Sequence, residues 1–159
     1  MRILGIDPGL QRTGWAVVAL DRFQPRVIEA GIIRTRAGDG LERRLREIHQ
    51  GLIEVIRESA PAAAVVESLY AHYRHPRTAI LMGHARGVIF LAAAEQDLPV
   101  KSYSATRIKK ALTGNGRASK VQVQKTVQMA LGLPRLPEPA DVADALAVAL
   151  CHAHTLARG

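Results

Sequence analysis

Arg2-Ile3-Leu4-Gly5-Ile6-Asp7-Pro8-Gly9 carries a short apolar run into an acid and then into a Pro-Gly turn. This is the pattern of a strand that stops where its chain must reverse. Two more strand candidates follow at 13–20 and 26–35, parted by the Pro25 region, so the opening reads as an antiparallel meander. The period then changes. Leu41, Leu45, Ile48, Leu52, Val55 and Ile56 recur at helical spacing and predict a helix over 40–59. A β-branched run over 62–68 predicts a fourth strand carrying Glu67 at its end, 77–96 a second helix, and 99–103 a fifth strand. Ser104 predicts an N-cap for a helix to 112, Gly114-Asn115-Gly116 breaks it, and Ser119 caps another to 131. After a proline-rich connector at 133–139, an alanine-rich helix closes the chain over 140–157. The order β-β-β-α-β-α-β-α-α-α implies an α/β fold, a mixed sheet with helices on its faces. One domain over 1–159 accommodates it.

The composition, 48% hydrophobic and 23% charged, excludes a disordered tail. No uninterrupted apolar run approaches the roughly 20 residues of a membrane helix, so no membrane role is expected. Arg2 followed by Asp7 does not read as a signal peptide. A single cysteine, Cys151, cannot form an internal disulfide, which predicts a reducing, cytoplasmic setting. The net charge is +8, and nearly all of it comes from one stretch. Residues 99–130 hold Lys101, Arg107, Lys109, Lys110, Arg117, Lys120 and Lys125 without a single acid. A solvated helical surface normally mixes signs; this segregation reads as a face for a polyanion.

Four acids stand out against it. Asp7 and Glu67 each end a predicted central strand, where an uncompensated charge is costly. The carboxyl ends of adjacent parallel strands meet at one rim, so the two could approach closely. Asp141 and Asp144 lie three apart at the start of the last helix and share a face. Singly each has a plain structural reading: a turn acid, a strand emerging into solvent, and two acids matched to a helix dipole. Together they form the oxygen-only donor set that suits a pair of divalent cations, Mg²⁺ or Mn²⁺ rather than zinc.

A family resemblance runs through these residues. Ile3-Leu4-Gly5-Ile6-Asp7-Pro8-Gly9 with Thr13-Gly14, Val66-Glu67, Gly83-His84-Ala85-Arg86-Gly87, Gly114-Asn115-Gly116-Arg117-Ala118-Ser119-Lys120 and Ala140-Asp141-Val142-Ala143-Asp144-Ala145-Leu146-Ala147 occur in order. In that order the chain resembles the RuvC-type Holliday-junction resolvases over nearly its whole length. The resemblance implies a ribonuclease H-like (RNase H-like) five-stranded mixed sheet flanked by helices. It implies a homodimer acting on a four-way DNA junction, and the branch-migration proteins RuvA and RuvB as partners. It also implies catalytic, metal-binding roles for Asp7, Glu67, Asp141 and Asp144. Two Mg²⁺ per site, with Mn²⁺ able to substitute, would support in-line phosphodiester hydrolysis leaving 5′-phosphate and 3′-hydroxyl ends.

Lys109 and Lys120 match the family's phosphate-contacting lysines, with Lys110 and Arg117 as further candidates. Tyr70 matches an aromatic that stacks on a base at the junction centre. Arg74 and Arg77, in the basic run Ala71-His72-Tyr73-Arg74-His75-Pro76-Arg77, join the expected DNA contacts. Among the histidines, His84 reads as a packed mid-helix residue and His152 as a group near the acids, while His152 and His154, two apart, point different ways. Cys151 reads as core. Two rival classes remain: one lobe of an actin or sugar-kinase type ATP-binding protein, which nucleotide-dependent thermal stabilisation would reveal, and a non-catalytic junction-binding module, which would not nick a junction with Mg²⁺.

Overall fold

The computed structural model describes residues 1–22, 24–69 and 75–157. The predicted element order is the observed one, with ends displaced by a residue or two. The strands are β1 Arg2–Asp7, β2 Arg12–Asp21, β3 Gln24–Arg34, β4 Ala63–Glu67 and β5 Val100–Tyr103. The helices are α1 Leu41–Ser59, α2 Pro76–Glu95, α3 Ala105–Thr113, α4 Lys120–Ala130 and α5 Ala140–Ala157. Ser104 accepts from the Arg107 N–H at the start of α3. Ser119 and Gln122 form a reciprocal capping box at the start of α4.

The sheet runs β3-β2-β1-β4-β5. β1, β2 and β3 pair antiparallel as the expected meander, while β4 lies parallel to β1 and β5 parallel to β4. The apolar run of β1 lies at the centre because both its faces are covered. Ile3 joins Ala16, Val18 and Val65 under α3, α4 and α5. Leu4 and Ile6 join Val17, Ala64 and Val66 under α1 and α2. Such burial contributes about 1.5–3 kcal/mol for each large aliphatic side chain.

Helix α5 approaches the sheet unusually closely, and two glycines permit it. A Cβ on Gly5 would lie 2.0 Å from the carbonyl oxygen of Ala145, and one on Gly14 would lie 2.2 Å from that of Asp141. With Ala145 and Ala149 on the facing helix, this seam brings the first turn of α5 against β1 and β2.

Helix α2 differs from expectation in two ways. It is long and apolar enough, by length and composition, to cross a membrane, although no uninterrupted apolar run suggested this. Ala85, Ile89, Ala92 and Ala93 nonetheless pack into the core, and Arg86 ties the helix to Glu67 and Ser102. His84 is exposed rather than packed, because it lies on the outer side beside Gly83 and Gly87. Nothing stands within 4 Å of a Cβ at either glycine, so that side does not face the sheet.

Candidate active site

The register places the acids. Ile6 pairs with Val66 across the parallel β1–β4 ladder, so Asp7 and Glu67, next along each strand, emerge at the same rim. Asp7 pairs with Gly14 across β2, and Gly14 is the residue on which the Asp141 backbone rests. One turn along the same helix face stands Asp144. Three separate elements thus bring four carboxylates together, and the glycine seam sets their approach.

Their mutual fields express the crowding. The Asp7 carboxyl is pushed up to about 8, first by burial and then by the charges of Asp144, Asp141 and Glu67, against a smaller opposing effect of Lys120. Glu67 is raised by burial of its carboxyl and by Asp144, with Lys109, Lys120 and Arg86 opposing. Burial also raises Asp144, and Lys120 opposes it. Burial is the largest cause for all three, and the neighbouring carboxylates add to it.

Lysines supply part of the balance. Lys120 Nζ donates to Asp144 Oδ2 at 3.3 Å. Lys109 and Lys120 line, with Glu67 and Asp144, an open cleft of about 250 Å³ whose other lining residues are Ala105, Ile108, Val123 and Ala147. Arg12, at the start of β2, brings its Nε to 3.0 Å from Asp141 Oδ2. Arg86 donates to the Glu67 backbone carbonyl and so pins the end of β4.

The structure therefore gathers Asp7, Glu67, Asp141, Asp144, Lys109 and Lys120. Lys110 turns instead toward a groove with Ala111, Leu112, Gly114, His154 and Ala157. Arg117 is exposed in the turn before α4, its backbone N–H bonded to Asn115 Oδ1 at 2.9 Å. Arg77 is exposed in the first turn of α2. Tyr70 and Arg74 lie outside the described residues. His152 does not serve the acids: its Nδ1 hydrogen-bonds the Tyr103 hydroxyl at 2.7 Å, joining β5 to α5. Burial, then Lys101, lowers its pKa. His154 Nδ1 bonds the Ala111 carbonyl oxygen at 3.1 Å, so the two histidines do point apart. Cys151 is fully buried, its thiol pushed up to about 11 mainly by that burial. Arg12 and Arg86 were missed in the sequence because neither breaks a pattern, and only their partners give them meaning.

Among the described residues no three acidic, histidine or cysteine side chains close into a finished ion cage. The donor chemistry nevertheless fits Mg²⁺ or Mn²⁺: four hard oxygen donors, one with its pKa raised to about 8, would be relieved by a cation.

The family described as crossover junction endodeoxyribonuclease RuvC matches residues 3–152. A relative of that name from Rhodopirellula baltica is 56% identical over 149 residues, covering 94% of this chain and 84% of its own. Another, from Desulforamulus reducens, is 44% identical over 96% of this chain and 93% of its own. Among solved structures, T. thermophilus RuvC in complex with Holliday junction substrate superposes with a TM-score of 0.94 at 36% identity, covering 100% of this chain and 96% of that one.

Proposed function

Because the chain belongs to the RuvC family of crossover junction endodeoxyribonucleases, we propose that it resolves Holliday junctions with Asp7, Glu67, Asp141 and Asp144 as its catalytic, cation-holding residues. The observation that carries this reading is the convergence of four acids from three elements, with Asp7 raised to about 8. When bound there, divalent cations supply Lewis-acid activation of water and neutralise charge at the scissile phosphate. The four carboxylates hold and orient them. Lys109 and Lys120, on the cleft wall, draw in the phosphate backbone. Arg86 holds Glu67 at the rim through its backbone carbonyl.

Binding by such a face depends steeply on salt, since each neutralised phosphate adds about 0.9 to the log–log slope. Replacing Lys109 and Lys120 together by Ala is expected to flatten the slope by about 1–2 units. Junction affinity measured across a salt series checks this, and an unchanged slope would remove both lysines from the DNA contacts.

The working unit is a two-fold homodimer. Two strands of like polarity must be cut, and one chain offers one acid cluster, so a C₂ protein matches the substrate's symmetry. The outer side of α2 supports this as the contact surface. Ile80, Leu91 and Phe90 are 62%, 53% and 37% exposed, and Gly83 and Gly87 lie among them with open Cβ positions, so a second helix could come close. Leu91→Asp is expected to shift the protein to monomers in sedimentation. The deciding experiment uses a plasmid-borne cruciform with Mg²⁺, where one nick yields an open circle and two coordinated nicks a linear product. Wild type is expected to linearise it, and mixed dimers of wild type with Asp7→Asn to give mainly open circles. Linear product from mixed dimers would sink the paired-nick mechanism, and no cutting at all would sink the nuclease site. RuvA and RuvB as partners, and a cytoplasmic location beside chromosomal DNA, complete the proposal.

A further inference from the structure

Arg12 enters the site from a rigid turn. Thr13 Oγ1 donates to the Gly9 carbonyl at 2.8 Å. The turn is tight enough that a Cβ on Gly9 would lie 2.2 Å from the Arg12 carbonyl oxygen. Thr35 clamps the same segment, donating from its N–H to Gln11 O at 3.0 Å and from its hydroxyl to Leu10 O at 2.6 Å. From this base Arg12 Nε comes to 3.0 Å from Asp141 Oδ2. That nitrogen is sealed from solvent, yet it has no acceptor in hydrogen-bond geometry. The contact is one of charge, with its directional bond unmade.

A buried donor in that state gains when a well-aligned acceptor arrives. The acceptor that this site's reaction brings is a DNA phosphate; Nε itself is sealed, but the Arg12 side chain as a whole is 41% exposed, so the guanidinium can turn out to meet it. We propose that Arg12 couples DNA binding to cation binding: without DNA it neutralises Asp141, and when DNA arrives it passes to a phosphate and frees Asp141 for the cation. The inference rests on the reading of the four acids as cation ligands.

The sign of the charges carries the argument. A guanidinium beside Oδ2 offsets one negative charge of the cluster and repels a divalent cation brought to the same carboxylate. A phosphate can hold the planar guanidinium through two charge-assisted bonds, which removes that repulsion. Linkage makes the effect reciprocal, so DNA tightens cation binding by the factor with which the cation tightens DNA binding. Lys120 makes a comparable pair with Asp144, but as a flexible point charge already counted among the phosphate contacts.

The test is calorimetric titration of Ca²⁺ into the full chain, alone and with a four-way junction, with the heat of Ca²⁺ binding to the junction itself subtracted. Wild type is expected to bind Ca²⁺ about tenfold more tightly with the junction than without. Arg12→Gln is expected to bind Ca²⁺ more tightly than wild type when DNA is absent, and to lose most of the junction's effect. Arg12→Lys, which keeps the charge, is expected to stay near wild type without DNA. Weaker Ca²⁺ binding by DNA-free Arg12→Gln would make Arg12 a brace for Asp141 and overturn the coupling. Coincident titrations of the two proteins would overturn it equally. If wild type binds no Ca²⁺ in either condition, the assignment of the four acids fails together with the coupling, an outcome distinct from both of the others.

Discussion

Asp7→Asn is expected to slow Mg²⁺-dependent junction cleavage by about a thousandfold or more while leaving junction binding within severalfold, because in the proposed site the lost charge would hold cations rather than DNA. The same change is expected to stabilise the cation-free protein. The Asp7 carboxyl is pushed from its ordinary value near 3.8 up to about 8 in the fold, first by burial and then by the neighbouring acids. Between those values the folded chain binds more protons than the unfolded one, so stability falls as pH rises through the window. Wild type in EDTA is therefore expected to melt higher at pH 5 than at pH 8. Asparagine does not titrate, so the variant should keep only the dependence left by Glu67 and Asp144 and exceed wild type at pH 8 by roughly 5 °C. Cleavage assays and thermal denaturation check the two halves separately. Near-normal cutting by Asp7→Asn would remove Asp7 from the site, and an Asn variant less stable at pH 8 would refute the raised Asp7 carboxyl.

Gly5→Ala is expected to have the largest effect on the fold. Its Cβ would meet the Ala145 carbonyl oxygen at 2.0 Å and the Ala149 Cβ at 2.9 Å. Neither atom belongs to a side chain that can rotate away, so α5 must lift from the sheet. The loss is about 3 kcal/mol or more, which lowers the melting temperature by roughly 10 °C. Gly14→Ala presses on the Asp141 carbonyl at 2.2 Å, at the start of the helix, where the chain can shift more cheaply. It should lose less stability but about a hundredfold in cleavage, because displacing Asp141 by an ångström would misplace a proposed catalytic group. Gly38→Ala, with nothing within 4 Å, is the control and should change neither. Normal melting of Gly5→Ala would mean that α5 does not ride on that seam.

Much of this molecule follows from local pattern. The change from strand to helical period after residue 35 marks the end of the meander. The unbroken apolar run of β1 implies a central strand covered on both faces, and Ser104 and Ser119 mark two helix starts that their side chains do cap. The acids were legible too: Asp7 and Glu67 as charges that close buried strands, Asp141 and Asp144 as an i, i+3 pair, and the basic stretch 99–130 as their counterpart. These signals survive in one dimension because period, capping and charge segregation depend on residues near one another in the chain.

The tertiary structure decided what depends on distance between elements. Gly5 and Gly14 look like ordinary strand glycines until α5 is laid across them. Arg12 and Arg86 are two arginines among many until Asp141 and the Glu67 carbonyl stand beside them. The position of His152 on α5 suggests a place near the acids, but the Tyr103 hydroxyl claims it from β5. His84 was expected to be packed, yet the rotation of α2 leaves it outside with Gly83 and Gly87. Periodicity says that a helix has an inner face; the fit of side chains across an interface a few ångströms wide decides which residues occupy it and what they meet.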